Sequence, residues 1–236
     1  MIEKYDGVVK RVIDIINDET RKIEDKILED KFRNILFPSL KYLETQLSSI
    51  DLLIKENQVV SAIILSRSLF EYHIDLIYIN QDKKKRAEMF WEYYKNYLAN
   101  DINYLRKTGN EPKAHSIEEY LQIEVNGFTR EFPWSNKNIK ERFDELFKEK
   151  EDNLHMYSNY ALLSRFVHLT PILLENIVDT TMLSKYKEYC YSTSIGSALT
   201  ILRIINDEFV LDKLEQIDEI NSEVMKLINN DGKPIK

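Results

Sequence analysis

Residues 59–79 read VVSAIILSRSLFEYHIDLIYI, and this stretch decides the fold. Val59, Val60, Ile63, Ile64, Leu65, Leu69, Phe70, Ile74, Leu76, Ile77 and Ile79 cover almost the whole circumference of a helix. A helix that is apolar on every side is predicted to lie buried at the centre of a bundle. Its charges are the informative exceptions. Arg67, Glu71 and Asp75 recur at i, i+4 and i+8 and so share one face. His73 sits elsewhere on the circumference. An unpaired buried charge costs several kcal/mol, so these groups require partners or a solvated cleft. A structural ion pair that fixes the register of the bundle and a functional cluster both satisfy that requirement.

Outward from this segment almost everything reads helical. Upstream, Val9, Ile13, Ile16, Ile23 and Ile27 form one stripe, with Thr20 in its gap, and Pro38 is expected to break or kink that helix. Leu40, Leu43, Leu47, Ile50 and Ile54 continue to a stop at Lys55–Glu56–Asn57. Downstream, residues 84–107 form a polar helix carrying Phe90, Trp91, Tyr93, Tyr94, Tyr97 and Tyr104. Thr108–Pro133 holds Gly109, Pro112, Gly127 and Pro133 and reads as irregular, with a short helix at Ser116–Gln122. A charged helix at about Asn136–Lys150, another at 153–169 and a long final segment at about 185–229, with Ser184 as its N-cap, complete the chain. Residues 229–236 read as a frayed tail. The expected fold is all-α, a single domain over residues 1–236, built as one bundle of six to eight helices with long terminal helices.

Composition agrees. Five Gly and five Pro among 236 residues fall far below the roughly 12% of an average protein, which leaves little room for the turns of a many-stranded sheet. Hydrophobic content of 43% beside 31% charged residues reads as globular. The net charge of −7 makes the chain a poor non-specific polyanion binder. The charge is uneven: residues 206–231 carry eight acids against two bases, and residues 81–115 eight bases against five acids. Lys83, Lys84, Lys85 and Arg86 could contact nucleic acid or form a solvated helix start. Cys190, the lone cysteine, reads as a small core residue and fits a reducing cytoplasm. Met1–Ile2–Glu3–Lys4 lacks the pattern of a signal peptide, and no apolar run approaches the ~20 residues of a membrane span. The expected location is therefore cytoplasmic, away from membranes.

A second polar line lies on another apolar helix. Tyr160, Ser164 and His168 are spaced i, i+4, i+8 among Leu162, Leu163, Phe166 and Val167. One stripe thus presents a phenol, a hydroxyl and an imidazole. Metal binding is not expected: His73, His115, His155 and His168 show no HxxxH or HxH spacing, and Glu-x-x-His motifs are absent. The sequence also lacks phosphate-binding glycine loops and a GxSxG elbow, so no cofactor is implied.

The run Arg67-Ser68-Leu69-Phe70-Glu71, followed by Tyr160-x-x-x-Ser164-x-x-x-His168, resembles an uncharacterised bacterial helical family with the patterns R-S-x-x-E and Y-x-x-x-S-x-x-x-H. Trp91, Tyr93, Tyr94 and Trp134 are similar too, and the resemblance covers most of residues 55–175. It implies an accessory or toxin-like protein of bacterial antiviral defence loci. A more distant likeness is to the HEPN ribonucleases, α-bundles that often dimerise and carry R-x(4–6)-H. Arg67 and His73, with five residues between them, fit that window, although Ser68 follows the arginine where active members usually carry Asn, Asp or His.

That likeness implies metal-independent RNA cleavage. His168 or His73 would be the base, Arg67 would stabilise the phosphorane, Glu71 would orient Arg67, and Ser164 or Tyr160 would hold the phosphate. Asp75 and Tyr94 are secondary candidates. Two other readings stand beside it. One is a non-catalytic helical module that docks through the long terminal stripes, as a homodimer or with a partner protein. The other is a small-molecule or nucleotide sensor.

Overall fold

The computed structural model describes residues 3–23, 30–121, 135, 137–147, 153–167 and 180–230. These form nine helices and no strand: α1 (Glu3–Ile23), α2 (Lys31–Lys55), α3 (Val59–Gln81), α4 (Lys83–Lys107), α5 (Glu111–Leu121), α6 (Ile139–Leu146), α7 (Asn153–Ser164), α8 (Thr180–Phe209) and α9 (Leu214–Asn230). The all-α expectation holds. Nine helices among the described residues exceed six to eight because the C-terminal segment expected to be one helix is divided after Phe209.

The central position of α3 follows from its composition. It packs most extensively against α8 and α2, and also touches α4, α6 and α7. Ala62, Ile63, Leu69, Ile74, Leu76 and Ile79 are fully buried. Each large aliphatic side chain so buried contributes roughly 1.5–3 kcal/mol. Polar contacts at matching levels show the directions: the Asp6–Lys55 ion pair has α1 antiparallel to α2, while the Arg33–Glu208 ion pair and the hydrogen bond that Tyr191 donates to Asp51 have α2 antiparallel to α8.

The N-terminal division does not fall at Pro38. α2 starts at Asp30, whose Oδ1 accepts the Phe32 and Arg33 amides at 2.9 and 3.0 Å. Pro38 lies inside the continuous helix. Its cost, about 3 kcal/mol in a helix interior, is outweighed by burial of Ile35, Leu36, Leu40 and Leu43 on both sides. α2 ends where expected. Asn57 takes φ 61°, and Gln58 donates to Leu53 C=O at 2.7 Å. This is a left-handed residue closing a helix, as asparagine tolerates.

Other boundaries move for local reasons. α5 begins at Glu111, five residues before the expected Ser116, because proline is accommodated in a first helical turn. α6 starts at a reciprocal cap between Asn138 and Glu141, inside the expected 136–150. α7 closes at Ser164 with a tighter turn through Val167, short of the expected residue 169. α8 begins at Thr180, so Ser184 lies within it and is not its N-cap. The expected single segment 185–229 is broken after Phe209, where Val210 and Asp212 take φ 54° and 58°. Leu211 donates to Asn206 C=O at 3.3 Å, and the Asn206 side chain accepts the Lys213 amide at 2.8 Å.

The terminal stripes are used within the chain. Val8, Val9, Val12, Ile15 and Ile16 of α1 are buried, as are Ile217, Ile220 and Val224 of α9. α1 packs on α2, α8 and α9, and α9 packs on α1 and α8. Trp134, Ile27 and the expected tail beyond residue 230 lie outside the described residues.

Val210 occupies the helix-closing position where glycine is usual, is 85% exposed, and is β-branched. A left-handed conformation costs such a residue about 1–2 kcal/mol, of which glycine's extra unfolded-state entropy offsets part. Val210→Gly is expected to raise stability by about 0.5–1 kcal/mol in urea denaturation; a loss of stability would contradict the strain.

Candidate functional site

The face of α3 that carries Arg67 and Glu71 meets the face of α7 that carries Tyr160 and Ser164. Arg67 Nε donates to Ser164 Oγ at 3.0 Å, and Nη2 donates to Tyr160 Oη at 3.3 Å. Nη2 also pairs with Glu71 Oε1 at 2.7 Å. Tyr160 Oη donates to the same Glu71 Oε1 at 2.8 Å, and Ser164 Oγ donates to Tyr160 C=O at 2.8 Å. The two lines of side chains therefore form one cluster. Its hydrogen bonds have a single consistent direction: guanidinium to hydroxyls, hydroxyls to carboxylate and carbonyl.

The surroundings hold this geometry. Phe70 stacks on Tyr160, with ring centroids 5.6 Å apart and planes 22° from parallel. Phe70, Ile74, Phe143 and Tyr160 form a small apolar cluster of their own. The Arg67 Cζ lies 5.5 Å from the Tyr160 ring centroid. Tyr160 is buried, which pushes its phenol above the ordinary range, with Arg67 opposing and Glu71 assisting. The tyrosine thus stays protonated and keeps donating to Glu71.

A guanidinium has five N–H donors. Ser164, Tyr160 and Glu71 occupy the three on Nε and Nη2. The two on Nη1 have no partner among the described residues. The Arg67 side chain is 21% exposed and that of Glu71 35%, so the cluster is a partly open floor and not a sealed core pair. A fixed guanidinium with one free edge suits a phosphate or carboxylate oxygen.

The remaining candidates are placed as follows. Asp75 is not part of this cluster. Its Oδ1 pairs at 3.0 Å with Nε of Arg142 on α6, which also donates to Ser135 Oγ at 2.9 Å and Lys137 C=O at 2.7 Å. Sequence reasoning missed Arg142, although the requirement of Asp75 for a cation was a signal that some buried arginine must exist. His73 is buried with neither ring nitrogen hydrogen-bonded, edge-on to Phe70 at 5.7 Å. Arg67 and His73 do not form the pair that the R-x(4–6)-H spacing suggests, because six positions of helix turn them about 240° apart. His168 lies outside the described residues, as does the side chain of Tyr94. Of the basic block, Lys83 pairs with Glu208 at 2.7 Å and Arg86 with Glu145 at 2.9 Å, while Lys84 and Lys85 are exposed at the start of α4. Cys190 is buried and its thiol is pushed up to about 12, which suits a core residue and not a nucleophile. Among the described residues no three His, Cys, Asp or Glu side chains gather as metal ligands would, and no helix is long and apolar enough to cross a membrane.

The fold and the site together define a helical bundle whose central helix presents an arginine-centred polar cluster to a neighbouring helix. The chain belongs to the family of unknown function DUF5677, whose model matches residues 15–186 and so includes all four residues of the cluster. No curated protein and no solved structure matches the chain.

His73 gives this region a measurable acid response. Burial lowers its pKa from 6.5 to about 4, so the unfolded chain takes up the proton first as pH falls. Its contribution to stability is whole above pH 6.5 and is lost towards pH 4, on the order of 3 kcal/mol. His73→Met is expected to remove that component from the pH dependence of chemical denaturation while the variant stays folded at pH 7. An unchanged acid limb in the variant would contradict the buried neutral imidazole.

Proposed function

We propose that the chain is a metal-independent endoribonuclease, a toxin-like component of bacterial defence, with Arg67 as the group that binds the scissile phosphate. The observation that carries the reading is the held guanidinium whose two Nη1 donors have no partner among the described residues. Glu71, Tyr160 and Ser164 fix its plane, so little reorganisation is needed when charge develops on a phosphorane. Glu71 and Ser164 are positioning residues. His168 follows Ser164 by four residues, a length of chain that spans at most about 14 Å.

In this reading His168 takes the proton of the ribose 2′-hydroxyl. The 2′-oxygen then attacks phosphorus, and Arg67 bears the charge of the pentacoordinate state. The bond to the 5′-oxygen breaks, and that oxygen leaves with a proton from solvent. The products are a 2′,3′-cyclic phosphate and a 5′-hydroxyl. The reaction needs no redox partner and consumes no water in this step. Exposed Lys84 and Lys85 supply positive charge for the RNA backbone.

A docking module is the second reading, and one observation counts against its original motive: the stripes of α1 and α9 are already buried within the chain.

The test is incubation of the purified chain with end-labelled structured RNA in the presence of chelator. The wild-type chain is expected to cleave. His168→Ala is expected to lose about 10²-fold or more. Arg67→Lys, which keeps the charge but not the fork, should lose about 10²–10³-fold. Cleavage of equal rate in both folded variants would overturn the assignment.

A further inference from the structure

Glu19 is the most anomalous side chain outside the Arg67 cluster. It occupies a core position of α1, between Ile16 and Ile23, and it is 0% exposed. Neither carboxyl oxygen has a hydrogen-bond partner. Lys213, the cation of another element that acts on it, is already engaged: its ammonium reaches Asp18 at 3.1 Å and Gln216 at 3.2 Å. The charges acting on Glu19 are Lys22 and Asp18 of its own helix and Lys213 at the start of α9. Among the described residues, no other charge of α2, α8 or α9 acts on it.

Two further features lie at the same place. α9 is joined to α8 by the turn that holds Val210 and Asp212 in left-handed conformations. It touches α1 and α8, and a cleft of about 380 Å³ bordered by Asp14, Asp18, Lys213 and Glu219 separates part of it from α1. α9 follows Lys213, the cation that acts on this carboxyl, and stands on a strained turn beside that cleft, tied to α1 by Arg11–Glu223 and to α8 by Arg203–Asp218.

We propose that α9 is a latch whose hold on α1 is set by one proton on Glu19: the neutral acid lets the helix dock, and the carboxylate, which has no partner in the docked state, releases it. Release would bare Ile217, Ile220 and Val224 together with the facing side of α1. The inference is independent of the proposed ribonuclease activity.

Burial raises the pKa of Glu19 from 4.5 to about 8, with Lys213 and Lys22 opposing and Asp18 assisting. The docked state therefore holds a proton that the open state gives up. Docking is strongest below pH 4.5 and weakens as pH rises, by up to about tenfold per pH unit, until it levels off above about 8.

The test is amide hydrogen exchange on the full chain from pH 5 to 9, expressed as protection so that intrinsic exchange is removed. Amides of Ile217, Ile220 and Val224 are compared with those of Leu69 and Ile74 in α3. The α9 amides are expected to be less protected than α3 at every pH and to lose protection between pH 5 and 8. Glu19→Gln should flatten that slope. Glu19→Leu, which completes the apolar stripe, should flatten it and raise protection as a second, independently folding variant. A slope that persists in both variants, flat α9 protection in the wild-type chain, or equal protection of α9 and α3 would each overturn the latch.

Discussion

One guanidinium in the middle of an apolar helix constrains the rest of this structure. α3 can be buried only if Arg67 finds partners, because an isolated buried charge costs far more than one hydrophobic contact returns. Glu71, one turn away, neutralises it. Neighbouring α7 then supplies a hydroxyl to Nε and a phenol to Nη2. Docking of α7 is thus specified by polar geometry as well as by Leu163 and the Phe70–Tyr160 stack. Arg67 and Glu71 are both partly exposed, so solvent screening makes the loss of one partner cost less than in a sealed pair.

The same face of α3 repeats the device further along. Asp75 draws in Arg142, and Arg86 stacks over the Tyr78 ring with its Cζ 3.6 Å from the centroid while pairing with Glu145 of α6. Lys137 joins that pair. This polar seam therefore holds α4, α6 and α7 against the central helix, and the remaining faces carry the aliphatic core against α2 and α8. The lower part of the seam is closed by its own ion pairs, Asp75–Arg142 and Arg86–Glu145. At Arg67 two donors have no partner among the described residues, and on the proposed reading that difference separates a site from an anchor.

Legibility in the sequence followed the physics of each element. The all-round apolarity of 59–79 made the central helix readable, and the i, i+4 spacings marked two polar lines, but that Arg67 and Glu71 meet Tyr160 and Ser164 depends on how α3 packs on α7 and was not readable. Helix ends were readable where the closing residue is suited to a left-handed conformation. Asn57 and Gly109 mark stops, whereas the equivalent stop at Val210 carries no such mark and was read through. Pro38 does not break its helix because tertiary burial outweighs a local helix cost. Asp75 departed from its expected neighbours because a straight face of eight residues spans more than one docking helix. Glu19 was hidden because periodicity counts charges as surface, and only packing shows that one of them replaces an aliphatic residue.

The most direct test of the central claim is observation of Arg67 itself. Arginine side-chain NMR of the full chain, titrated with a structured RNA fully methylated at its 2′-oxygens so that it cannot be cleaved, reports whether the free edge of Arg67 receives a phosphate. A saturable shift of the Arg67 Nε and Nη1 signals that weakens with salt is the predicted result. Arg67 signals that stay fixed under saturating RNA would contradict it and leave the cluster as a purely structural joint between α3 and α7.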